Sequence, residues 1–235
     1  VTEDDERRAQ IVGPFLQKHF DHRKQIRSQS ASSNKNLLTA HQLALAAVVS
    51  YQNRIQGIKY DAGDAQITGR MALVAQFIQG VGITETAISE GLYAQAANLL
   101  KQELETLASI EEFEAKARKD GRTPKFRGRL TGFGRRYGEF NEIAHPTRQE
   151  VVEQLSSFTD GDRYGPTTVP QFNTELFQML YGNQAMLIAM LFGQMQPLFV
   201  EAFGVDWDDT EVRLASTAIR ILIDEGIIKE IPAKN

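Results

Sequence analysis

Nine basic residues fall between positions 116 and 136: Lys116, Arg118, Lys119, Arg122, Lys125, Arg127, Arg129, Arg135 and Arg136. One acid, Asp120, lies among them. The segment therefore carries +8 in a chain whose formal net charge is −4, and the remaining residues carry −12. Cations concentrated in an otherwise acidic chain point to a local site for a polyanion. Phe126, Phe133 and Tyr137 interleave the charges, and aromatic faces can stack bases while cations hold phosphates. Lys125, Arg127, Arg129, Arg135 and Arg136 are the candidate phosphate contacts, with Phe126 and Tyr137 as candidate stacking partners. A competing account is internal. Residues 85–114 hold seven acids against one base, Lys101, and can pair with the basic stretch themselves.

Tyr137, Asn141 and His145 are spaced four apart and form one stripe on a helix. His145 is the candidate catalytic residue, because an imidazole exchanges protons near neutrality. The structural alternative is a helix-terminal histidine beside a packed tyrosine. No metal site is expected. The chain has no Cys and four His; His19 and His22 share no carboxylate motif, and His41 lies beyond a Ser-rich stretch. Asp206, Asp208 and Asp209 lack the Gly and Glu pattern of a calcium loop.

These residues must be positioned by helices. The 235 residues are 42% hydrophobic and 24% charged, with seven Pro and few alternating β-branched runs. The expectation is an all-α antiparallel helical bundle with N- and C-terminal helical extensions. Residues 1–36 read as a charged helix from Pro14 to about Arg27 and a polar linker over 28–36; residues 37–235 read as one core domain. Thr39 with Gln42 has capping-box spacing, and a helix from Asp64 is predicted to end before Gly80-Val81-Gly82. The spacing of Tyr93, Ala97, Leu100, Leu104 and Leu107 predicts a helical seam within a segment running from about Thr84 to Lys119. A helix over 133–145 is followed by Thr147 and Glu150 as a capping box, then a loop over 160–170. A helix over 173–203 and another after the Asp208–Glu211 capping box complete the chain, with Gly226 as a stop and 227–231 as a short extended tail. No charge occurs from Leu176 to Val200, a run long enough to span a bilayer. Five amide side chains interrupt it, so a buried bundle helix is expected, not a membrane span.

Gly91 to Glu105, an alanine-rich segment with Lys101 and Glu105, followed by Arg136-Tyr137-Gly138-Glu139-Phe140-Asn141-Glu142-Ile143-Ala144-His145-Pro146, resembles the HEPN (higher eukaryotes and prokaryotes nucleotide-binding) helical domain over residues 84–160. The resemblance implies a helical bundle that dimerises, with roles in phage defence or RNA processing. It also implies a polar cluster of Lys101, Glu105, Tyr137, Asn141 and His145 between two helices. Eight residues separate Arg136 from His145, whereas the family's ribonucleases carry the two closer together. The resemblance therefore implies a member without that activity.

The leading expectation is a cytoplasmic, non-catalytic binding or regulatory protein that needs no cofactor and contacts nucleic acid or nucleotide phosphates through residues 116–136. The first alternative is a metal-independent ribonuclease using His145. The second is a homodimeric scaffold or protein-interaction module, with the Met-rich 176–200 helix as partner surface.

Overall fold

The computed structural model describes residues 3–145 and 148–229. Among these, eight helices dominate: α1 (Glu3–Ser33), α2 (Lys35–Ile55), α3 (Ala65–Ser89), α4 (Tyr93–Glu114), α5 (Gly134–Ala144), α6 (Gln149–Ser156), α7 (Thr174–Phe203) and α8 (Asp209–Asp224). A hairpin of β1 (Ser157–Asp160) and β2 (Arg163–Pro166) begins before the 160–170 region expected as loop and runs into it. The chain is an all-α helical bundle.

The uncharged run explains the arrangement. A helix that is apolar on every side must be surrounded. α7 starts at an Asn173 cap, whose side chain accepts from the Leu176 amide, and ends at Gly204 in the left-handed region. α2, α3, α4 and α8 cover it. The NH2 groups of its three buried amides donate to backbone carbonyls within the bundle. Gln184 Nε2 donates to the Val81 carbonyl at 2.8 Å, Gln194 Nε2 to the Leu107 carbonyl at 3.2 Å, and Asn183 Nδ2 to the Met179 carbonyl at 2.6 Å. α3 and α7 are both long and apolar enough to cross a bilayer, and both pack here as bundle helices. The Met-rich surface expected to face a partner is therefore largely spent on the chain's own core.

The seam of α4 is buried at all five positions and faces α3 and α7. The α8 capping box is present as predicted, with Glu211 fully buried and held by Arg54 at 2.8 Å. Several boundaries differ. α1 runs unbroken through Gly13-Pro14 and through the Ser-rich stretch, so residues 28–33 are helix and not linker. Ser28 and Ser32 hydroxyls donate to carbonyls four residues back, and Ser30 ties α1 to the Ser89 carbonyl at 3.0 Å. α2 is capped by Asn34, ahead of the Thr39–Gln42 pair. α3 continues through Gly80 and Gly82 to Ser89. The helix expected from Thr84 to Lys119 is instead broken at Gly91, whose φ is +75°. A side chain there would also sit 3.1 Å from the Gln171 carbonyl and from Ile26, so the turn requires glycine. Thr147 lies outside the described residues, and Arg148 holds the N-cap position of α6 without a side-chain capping hydrogen bond. The described part of the tail, up to Lys229, is not extended strand.

Glu103 lies inside this core, 4% exposed. Thr84 Oγ1 donates to it at 2.7 Å. Burial pushes its carboxyl up to about 8, against the opposing hydrogen bonds of Thr84 and Gln184. His41, buried beside Tyr181 at 5.0 Å between rings, is pushed down by the same loss of solvent. A raised carboxyl stabilises the fold fully below its unfolded value near 4.5, and loses that contribution as pH rises through about 8. We predict that stability falls over this window by up to about 1.4 kcal/mol per pH unit, one proton's worth, and that Glu103→Gln flattens the slope. Urea unfolding at a series of pH values checks it; an unchanged slope in the variant refutes the assignment.

Candidate functional site

The basic segment begins where α4 ends. Lys116 takes φ 53°, a position usually left to glycine, and the Ala117 amide reaches back to the Glu112 carbonyl at 2.7 Å. The chain then forms a loop to Phe133 before α5 starts. Two acids of the last turn of α4 organise it. Glu112 accepts the Lys125 amide at 3.0 Å and Arg118 Nη1 at 3.4 Å. Glu111 accepts the Arg129 amide at 3.2 Å. Gly128, at φ 52°, lies against Glu111, where a Cβ would stand 3.2 Å from Oε2. Pro124 and the fully buried Leu130 anchor the loop on the bundle. Burial pushes the Glu111 carboxyl up, against the pull of the Arg129 amide and guanidinium.

The seven acids of 85–114 thus do not simply neutralise the basic stretch. Glu85 and Glu90 pair with Arg27 and Arg23 of α1, Glu103 is in the core, and Glu105 meets Tyr137. Glu114 is exposed, and among the described residues Glu111 and Glu112 hold the loop, chiefly through backbone amides. The side chains of Lys119, Arg122, Lys125 and Arg127 are left exposed, without an ion pair among the described residues. All four line one recess of about 250 Å³, with Thr123 and Glu112 in its wall.

The other predicted contacts point elsewhere. Arg129 Nη1 reaches the Gly193 carbonyl of α7 at 3.4 Å. Arg135 pairs with Glu139 at 3.0 Å. Arg136 meets Glu139 at 3.4 Å and the Ile227 carbonyl at 3.3 Å, so it braces the C-terminal segment. Phe126 and Tyr137 pack on each other with ring centroids 5.2 Å apart and planes tilted by 54°.

Lys101, Glu105, Tyr137 and Asn141 do come together across α4 and α5. Tyr137 donates to Glu105 Oε1 at 2.6 Å, and Lys101 Nζ donates to Asn141 Oδ1 at 3.1 Å while lying 5.2 Å from the Tyr137 ring centre. Burial, then the Glu105 hydrogen bond and charge, pushes the Tyr137 hydroxyl up to about 12. These contacts clamp two antiparallel helices. His145 stands apart. It is exposed at the end of α5, and its side chain makes no hydrogen bond to the cluster among the described residues. Nine residues of helix place it about 13 Å along the axis from Arg136.

Lys119 and Arg122 are the contributors that sequence spacing did not single out; only the charge run itself marked them. No group of three or more His, Asp or Glu side chains that could hold a metal occurs among the described residues. We predict that Glu111→Ala with Glu112→Ala frees the loop without unfolding the bundle. Trypsin should then cut within 119–127 about tenfold faster at unchanged global stability. Equal cleavage rates would show that the two carboxylates do not hold the loop.

No family model, curated protein or solved structure matches the chain.

Proposed function

We propose that this chain is a non-catalytic binding protein that holds the phosphate backbone of a nucleic acid on the loop between α4 and α5. The observation that carries this reading is the group of four exposed cations, Lys119, Arg122, Lys125 and Arg127, around one recess. The loop beneath them is shaped by amide contacts to Glu111 and Glu112, so the cations are presented without being consumed. Two lysines and two arginines can each meet a phosphate oxygen. The pairing of Phe126 with Tyr137 weighs against base stacking as the main source of affinity. Recognition then rests on charge and is indifferent to sequence.

The ribonuclease reading draws less support. His145 and Arg136 lie at opposite ends of α5, and Arg136 is engaged by Glu139 and Ile227. No single substrate phosphate would meet both within one chain.

Fluorescence anisotropy with single-stranded RNA and duplex DNA tests the proposal. The expected result is binding whose logarithm falls with log salt, with a slope of about −3 to −4 for the duplex, near −0.9 for each phosphate neutralised. Changing Lys119, Arg122, Lys125 and Arg127 together to Ala should abolish it. Arg135→Ala and His145→Ala should leave it within about twofold. Salt-insensitive binding, or binding that survives the fourfold variant, overturns the proposal.

A further inference from the structure

α1 carries one continuous face that is used in two ways. Its C-terminal part lies on the bundle: Ile26 and Ser30 are buried, and Arg23 and Arg27 pair with Glu90 and Glu85. Counting back in threes and fours, the same face continues through Phe20, Leu16, Phe15, Val12 and Ile11. No described residue covers it there. Every residue from Asp4 to Lys18 is exposed, about 22 Å of helix. Ile11 is 67% exposed, Leu16 59%, Phe20 54%, Phe15 51% and Val12 48%. A recess of about 530 Å³ lies beside it, between Phe15, Leu16, Phe20, Arg23 and Leu92. Five large apolar side chains on one bare helical face are more than a monomer's scattered surface residues.

We infer that this face is the contact between two copies of the chain, with their α1 helices packed antiparallel about a two-fold axis near Gly13-Pro14. The order of residues carries the choice of partner. In that register Ile11 faces Leu16 and Val12 faces Phe15 of the second copy. Farther out, Asp4 faces Arg23, the same guanidinium that pairs with Glu90 of its own chain, and between these and the centre Arg7 and Arg8 face Phe20 and His19. The centre is self-complementary, apolar against apolar, and acid meets base beyond it. A parallel pairing would set Asp4 and Asp5 against themselves. A two-fold contact needs this self-complementarity, since the same patch serves both partners. Covering the five side chains in both copies removes about 1,200 Å² from water, the lower edge of a stable interface. An anionic membrane surface fits less well, because residues 3–27 carry five acids against six bases and offer no basic excess.

Analytical ultracentrifugation of the full chain over a wide concentration range tests the inference, beside a Phe15→Glu, Leu16→Glu variant. The expected result is a reversible dimer whose dissociation constant rises more than about a hundredfold in the variant. At dilutions where both are monomeric the variant should melt with the wild type, since residues 4–18 are all exposed in the fold. Orientation is read separately, because the chain has no Cys of its own. A mixture of Val12→Cys and Phe15→Cys chains should form the mixed disulfide in preference to either self-linked dimer. A wild type that stays monomeric, a dimer that persists in the variant, or a monomer that sediments with anionic vesicles through this face would each overturn the inference. None of these outcomes depends on the cationic recess, which lies on a different loop.

Discussion

One constraint shapes the molecule: α7 is a 30-residue helix that bears no charge from Leu176 to Val200, and it must be wrapped. α2, α3, α4 and α8 do the wrapping, and the NH2 groups of Gln184 and Gln194 on α7 donate inside the shell to carbonyls of α3 and α4. Burying so long an apolar surface supplies a large share of the driving force for the fold. It also fixes which faces of the surrounding helices remain for other work. α4 gives its seam to α7 and α3, and so presents Lys101 and Glu105 to α5.

From α4 the consequences run toward the cationic loop. The last turn of α4 is where the core ends, and its two carboxylates stand at the edge of the apolar shell. They gather the amides of the following loop as a capping side chain gathers those of a helix start. The Lys101–Asn141 and Glu105–Tyr137 contacts then fasten α5 as the loop's far support. The loop that forms the recess is thus held at both ends by elements whose positions trace back to α7.

The elements that depend on local signals were legible in the sequence. The Asp208–Glu211 box, the Asn173 start of α7 and the α4 seam occur where spacing placed them. The misreadings share a cause, which is that neighbours outweigh propensity. Gly80 and Gly82 look like a stop, yet α3 passes through them because its flanking residues pack on α4 and α7. Gly91 looks like part of a long periodic helix, yet the approach of Gln171 and Ile26 makes it a turn. The serines of α1 look like linker, yet their hydroxyls fold onto the helix's own carbonyls. At the candidate site, the charge run marks the segment but not which of its cations stay unpaired. That depends on Glu139 of the same helix, which engages Arg135 and Arg136, and on Gly193 and Ile227 of other elements, which engage Arg129 and Arg136. The polar cluster was legible as four of its five residues; His145 departs because α5 ends before the stripe reaches it.

The way Glu111 and Glu112 hold the loop separates two properties that are usually tied. A backbone amide is the same whichever side chain it bears. The positions at Lys119, Arg122 and Arg127 can therefore be recoded, toward neutral or even acidic residues, while the loop keeps its path. A chain built this way can drift from one kind of ligand to another through changes in a handful of codons, with the scaffold indifferent to the outcome.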